Sequence, residues 1–380
     1  MSLSNQSHLF DIESQKIYLN SAAYTPLLNA VVDAGQESVK LKARPYHIVP
    51  KIHFFDQVDE VRSLICQLIN AEDKDTIAMI PAASYGMAIV AANLHRWPNI
   101  GQKKKIYIID QEFPNDVYAF ERVCESLHLD IITLPQADHY NQVVIDNLDE
   151  EVAMIVIPHV HWITGYKFDL PTIAAQCRKM GIMLVIDGTQ SIGALPFDVQ
   201  DIKPDALICA TYKWLLGPYG QAFAYLSKFF HDGIPLEESW INRVESDNFA
   251  ALLSYQKEYR PMAQRYNVGE YSQFIQIPML KVALQQILEW KVANIQQYCH
   301  HISEDVLVGL MSSGIALASE IDRVNHLFSL KFQDENTASQ LYTRLSKESI
   351  FVSLRANCIR VSPHVFNSRE DIEKLGEVVK

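Results

Sequence analysis

Positive charge is scarce in this sequence. Against 45 Asp and Glu stand 33 Lys and Arg, a formal net charge of −12 over 380 residues. Nucleic acids and anionic membrane surfaces are held by clustered cations, so both are excluded as expected partners. The one basic triple, Lys103-Lys104-Lys105, precedes an apolar run and reads as a solvated strand entry. Cysteine is equally sparse: Cys66, Cys124, Cys177, Cys209, Cys299 and Cys358, with no CxxC pair. In a chain this long that is no disulfide framework, and reduced thiols in a cytoplasmic setting are expected. The N-terminal residues lack the basic and apolar regions of a signal peptide. The most apolar window, residues 77–94, is interrupted by Pro81, Ser84 and Gly86. It is punctuated like a strand followed by a helix, not like a bilayer span. There is no internal repeat, no low-complexity tract, and neither GxxxxGK[ST] nor GxGxxG.

What is present is an alternation. Apolar runs at 77–80, 105–109, 131–134, 152–157, 182–186 and 205–210 read as buried strands. Helical patterns at 86–94, 117–127 and 171–180 lie between them. That pattern predicts a layered α/β unit. From about Pro278 the pattern changes to a long helix over 279–302, a strand at 327–332 and a helix at 336–345. A strand pair at 351–354 and 359–362 turns at Arg355-Ala356-Asn357, which makes an α+β unit.

In open α/β sheets, ligands bind beyond the carboxyl ends of the strands. Three segments there could carry chemistry. Pro81-Ala82-Ala83-Ser84-Tyr85-Gly86 joins a strand to a helix; its small residues and helix N-terminus suit an anion, or Ser84 is a plain N-cap. Asp187 follows five apolar residues, where a carboxylate needs a partner, or it caps the next helix. Lys213 ends another apolar run and is followed by Trp214-Leu215-Leu216, poorly placed to reach water. Such a site lowers a lysine's pKa and suits a Schiff-base nucleophile; the alternative is a lysine capping carbonyls at the sheet rim. Together an anion cradle, a strand-end Asp and a strand-end Lys match what pyridoxal 5'-phosphate requires.

At these residues the sequence resembles the class V aminotransferase family of fold-type I pyridoxal-phosphate enzymes, which includes cysteine desulfurases and isopenicillin N epimerase-like proteins. The resemblance covers nearly the whole chain. It rests on Tyr18-Leu19-Asn20-Ser21-Ala22-Ala23, on Asp187-Gly188-Thr189-Gln190, on Tyr212-Lys213-Trp214-Leu215-Leu216-Gly217-Pro218 and on Ile359-Arg360-Val361-Ser362. It implies a large domain (17–260) with a mainly parallel seven-stranded sheet between helices, and a smaller α+β domain (1–16 and 261–380). It also implies a homodimer. Lys213 would hold the cofactor's aldehyde and move protons, and Asp187 would pair with the ring nitrogen. Gln190 would bond the phenolic oxygen, and Phe113 would stack on the ring. Ser84 with the Tyr85 N–H, and Thr211 or Tyr212, would hold phosphate. Arg360, with the loop at Ala22 and Ala23, would bind a small-molecule amino acid or amine through its carboxylate.

Departures narrow the expectation. Ala210 stands where many relatives have Ser, and Trp162 where the desulfurase branch has Asn. Glu270 replaces the Thr of desulfurases near the partner subunit's phosphate. The loop before Arg360 is too short to carry a desulfurase's nucleophilic cysteine, so Cys358 reads as packing. The expected activity is aminotransferase, with a lyase or epimerase as alternative and a non-catalytic protein of the same fold as a rival. His159 and His161 share a strand face, but no third metal ligand is near in sequence.

Overall fold

The computed structural model describes residues 3–318 and 320–380. After a two-residue strand β1 (Ile17–Tyr18), seven strands form the main sheet. They are β2 (Ile77–Ile80), β3 (Lys105–Ile109), β4 (Asp130–Leu134), β5 (Val152–Pro158), β6 (Met183–Asp187), β7 (Ala206–Ala210) and β8 (Ala222–Leu226). Their order is β2-β8-β7-β6-β5-β3-β4, with β8 antiparallel to both neighbours and every other pairing parallel. The expected seven-stranded, mainly parallel sheet is therefore present. Its β8 was not foreseen from the apolar runs.

Both faces of the inner strands are covered, which explains their near-continuous apolar sequences. Edge strand β4, expected to be buried, is instead largely exposed and buries only Leu134, because no strand pairs with its outer edge. Alternate residues divide between two cores. Tyr107, Ile155, Leu184 and Leu207 join one cluster, while Ile106, Met154, Val185 and Ile208 join the other. The exposed backbone of edge strand β2 is closed by a loop. Asn267 accepts from the Met79 N–H through its side chain, and the Val268 N–H donates to the Met79 carbonyl. Helices α1 (Asn29–Ala43) and α2 (Gln57–Ile69), unmarked in the sequence reading, pack on the helix Gln276–Trp290.

The long helix expected over 279–302 is two helices, Gln276–Trp290 and Val292–Ser312. Lys291 between them takes φ 64°, a left-handed conformation that ends the first hydrogen-bond ladder. The strand expected at 351–354 is also divided. Its first residues form β10 (Ile350–Phe351), parallel to β1, and the rest form β11 (Ser353–Arg355). β11 pairs with β12 (Cys358–Val361), which pairs with β9 (Phe328–Lys331), and Ala356 at φ 47° makes the foreseen turn. Arg360 thus sits on the middle strand of this small antiparallel sheet.

Candidate active site

Because β2, β3, β5, β6 and β7 run in the same direction, their carboxyl ends meet at one rim. A cavity of about 190 Å³ opens there, walled by Pro81–Ala83, Phe113, Trp162, Asp187, Gln190, Tyr212 and Lys213. The sequence order of these residues is scattered; the sheet alone brings them together.

Lys213 is buried, and its ammonium lies 5.6 Å from the ring centres of both Phe113 and Tyr212. Burial pulls its pKa down to about 8; Asp187 opposes that shift and Arg360 adds to it. A lysine so placed is a neutral amine in a useful fraction at neutral pH, as a Schiff-base nucleophile must be. The turn that follows is tightly built: Leu216 has φ 55°, and Gly193 (φ 99°) lies so near Trp214 that an added Cβ would sit 2.3 Å from its carbonyl oxygen.

Asp187 ends β6, and one of its oxygens accepts from the Thr189 N–H at 2.7 Å. Gln190 is fixed at both ends. The Trp214 indole can only donate, so its 2.9 Å partner is the Gln190 oxygen, and the Gln190 nitrogen then donates to the Ala22 carbonyl at 3.1 Å. One N–H of the amide is left for a ligand. Gln190 also ties the N-terminal loop to the lysine segment.

Not every expected site residue reaches the cavity. Ser84 is exposed near the start of α3 (Ala83–Asn93), with Ala82 and Ala83 on the wall instead. The Tyr85 N–H donates to the Ala82 carbonyl at 3.1 Å, so the amides left for an anion are those of Ala83 and Ser84. The Thr211 hydroxyl is turned away, at 2.9 Å from the Gln221 carbonyl and 3.1 Å from that of Pro218. The Ala22 N–H donates to the Ser362 hydroxyl and the Ala23 N–H to the Asn20 carbonyl, so both serve the loop itself.

Arg360 is buried, donating to the Trp162 carbonyl at 2.9 Å and the Ser353 hydroxyl at 3.3 Å. Its Nε has no partner, and among the described residues no carboxylate pairs with it. Arg360 is not on the cavity wall; the Trp162 ring is, 5.9 Å from the Arg360 guanidinium and 5.5 Å, edge to face, from Phe113. Burial and the nearby Arg355 make its charge costly. A buried cation with an idle donor fits an anion supplied from outside.

Two acids were not singled out from the sequence. Glu112 lines the cavity; one oxygen accepts from the Phe113 N–H at 2.8 Å and the other has no partner. Asp116, in α4 (Asn115–Leu127), is fully buried beside Asp187 with no donor to either oxygen. Burial, then Asp187, pushes its pKa well above the carboxylate range, and burial pushes that of Glu112 up to about 8. A helix N-terminus favours an ionised acid by about 0.3–1 kcal/mol, whereas desolvating one costs several kcal/mol. Burial wins. The sequence signal available was an acid on either side of Phe113.

Other sequence features have structural explanations. Both ring nitrogens of His161 are engaged, by the Thr164 hydroxyl and the Asp110 carbonyl. Among the described residues no group of three metal-ligating side chains occurs, and no helix is long and apolar enough to cross a membrane. All six cysteines are buried and none lines the cavity; burial raises the Cys358 thiol.

The aminotransferase class-V family matches residues 17–375, and the chain belongs to it. It is similar to the uncharacterized aminotransferase YcbU of Bacillus subtilis, 27% identical over 322 residues, 83% of this chain and 81% of that one. A Burkholderia mallei kynureninase is 29% identical over 167 residues, 43% of this chain and 39% of its own. Among solved structures, a variant of C-DES with glycine covalently linked to its PLP cofactor superposes with a TM-score of 0.85 at 20% identity, covering 99% and 100% of the two chains. The Escherichia coli cysteine desulfurase CsdA gives 0.81 at 17%, covering 98% and 96%. The family is one of pyridoxal-phosphate enzymes, and the lysine, acid and aromatic ring around this cavity fit that cofactor.

Proposed function

We propose that the protein is a pyridoxal-phosphate-dependent aminotransferase acting on an amino acid or a related amine with a carboxylate. The observation that carries this reading is the convergence of Lys213 and Asp187, from two neighbouring strands, on one cavity faced by Phe113. When bound, the cofactor supplies an electron sink for charge developing beside the substrate nitrogen. Asp187 would keep the ring nitrogen protonated, and Phe113 would cover one ring face. Lys213, neutral in part near pH 7, would take a proton from the substrate carbon and return it. Arg360 would hold the substrate carboxylate through its free edge, and the first amides of α3 would receive the phosphate. The absence of a cysteine from the cavity wall favours amino transfer over sulfur transfer. The test is incubation of the cofactor-loaded protein with a panel of amino acids. Release of the matching keto acid, with amino transfer to an added keto acid, supports the reading; ammonia or racemised substrate instead would sink it in favour of a lyase or epimerase.

The depressed pKa of Lys213 also fixes how loading depends on pH. Attachment of pyridoxal 5'-phosphate to Lys213 is expected to accelerate about tenfold per pH unit up to about pH 8 and then level off. An unshifted lysine would keep accelerating to about pH 10. Stopped-flow absorbance between pH 6 and 10 separates the two profiles.

A further inference from the structure

Asp116 has no role in the site described so far, yet its place is unusual. It is 0% exposed, both of its oxygens lack a donor, and its carboxyl reaches that of Asp187. Two ionised carboxylates are both acceptors and cannot bond to each other; a contact between them requires a proton. The groups facing Asp116 are Asp187 from β6, Glu112 from the turn before α4, and Lys213 from beyond β7. One lysine cannot neutralise three buried acids, so protons must do the rest. Asp187 has the donor that Asp116 lacks, the Thr189 N–H. The negative charge therefore settles on Asp187.

We propose that Asp116 is a positioning residue that stays protonated at neutral pH and donates a hydrogen bond to Asp187, leaving Asp187 as the ionised acid directed at the cofactor ring. This rests on the proposed cofactor site for its purpose, but not for its test. Without Asp116, Asp187 would lose a partner that fixes its carboxyl plane. With an ionised Asp116, the pair would repel and the cluster would have to open or take up a cation.

The first readout uses the full-length protein without cofactor, by infrared spectroscopy at pH 8. Asp205, another buried acid, is raised only to about 6 and is ionised by then. Glu112 is removed from the signal by E112Q. The E112Q protein is expected to keep the carbonyl stretch of a protonated carboxylic acid, and E112Q/D116N to lose it; no such band in E112Q overturns the proposal. The second readout is stability against pH. A native acid with a raised pKa holds a proton that the unfolded chain releases above about pH 4. Stability is then full below that pH and falls as pH rises. Relative to the parent, D116N is expected to gain up to tenfold in folded-to-unfolded ratio per pH unit between pH 5 and 8. A constant difference across that range overturns the proposal. The third readout is the Kd for pyridoxal 5'-phosphate. D116A is expected to weaken binding about tenfold, the worth of one hydrogen bond, and D116N, which still donates, to restore it. Equal weakening in both would mean that an ionised Asp116 is needed, against the proposal. If the parent fails to bind the cofactor, the functional reading falls while the infrared band still decides Asp116.

Discussion

Lys213→Ala is expected to abolish covalent attachment of pyridoxal 5'-phosphate and to lower turnover by about 10³-fold or more. The size of the effect follows from the two tasks proposed for it. Lys213 is the amine nearest Asp187 in the cavity, and burial brings its pKa down to about 8, near working pH. Removing it takes away both the attachment point and the proton carrier. The visible absorbance of the loaded protein and the mass of its borohydride-reduced form check the first loss. Single-turnover kinetics check the second. A variant that still carries the cofactor covalently would place the nucleophile elsewhere and would dismiss the central assignment. The fold itself should tolerate the change: the lysine's desolvation is a cost, so the truncated protein is expected to melt no lower than the parent.

Arg360→Met is expected to separate binding from stability in a similar way. Hydrogen bonds to a charged group contribute about 1.5–3 kcal/mol each. Losing a two-point grip on the substrate carboxylate should raise KM by about 10²-fold or more, with a smaller change in kcat. In the protein without substrate, the same substitution removes a buried cation that has no carboxylate partner and leaves an apolar chain of similar length. The expected result is an unchanged or raised Tm, since an unpaired buried charge is a liability to the fold. Calorimetry and steady-state kinetics on one preparation test both halves. A lowered Tm with KM unchanged would make Arg360 a structural residue, held by Trp162 and Ser353 alone, and would remove the carboxylate from the substrate description.

Much of the site was readable along the chain because its members sit at strand ends. Asp187 and Lys213 each stand where an apolar run stops, and burial before a charged residue is visible in one dimension. Phe113, Gln190 and Arg360 came through the family resemblance, and the first two line the cavity. Ser84 came from the strand-to-helix segment, and Thr211, Ala22 and Ala23 through the resemblance. None of them lines the cavity, whose wall has Ala82 and Ala83 beside Ser84 and Ala210 and Tyr212 beside Thr211. The reason is local hydrogen bonding. A hydroxyl or amide that satisfies a turn faces that turn, and sequence spacing does not say which of two adjacent residues does so. Glu112 and Asp116 were passed over for a related reason. An acid at or just before the start of a helix, as Asp116 and Glu112 are, ordinarily reads as a solvated complement to its dipole, and only burial by other elements makes it a proton-holding group.

By itself the sequence determined the α/β class, most strands of the main sheet and its family, and it singled out Lys213 and Asp187, which the fold brings to one cavity. These are consequences of local pattern: strand hydrophobicity with period and length, and charged residues that interrupt it. The tertiary structure decided the place of β8, the division of the long C-terminal helix at Lys291, the closing of the β2 edge by Asn267, and the gathering of three acids around one lysine. Each of these depends on which surfaces meet after the sheet has assembled. Desolvation is set by everything packed around a group, so the protonation of Asp116 and the depressed pKa of Lys213 belong to the folded molecule and not to any segment of it.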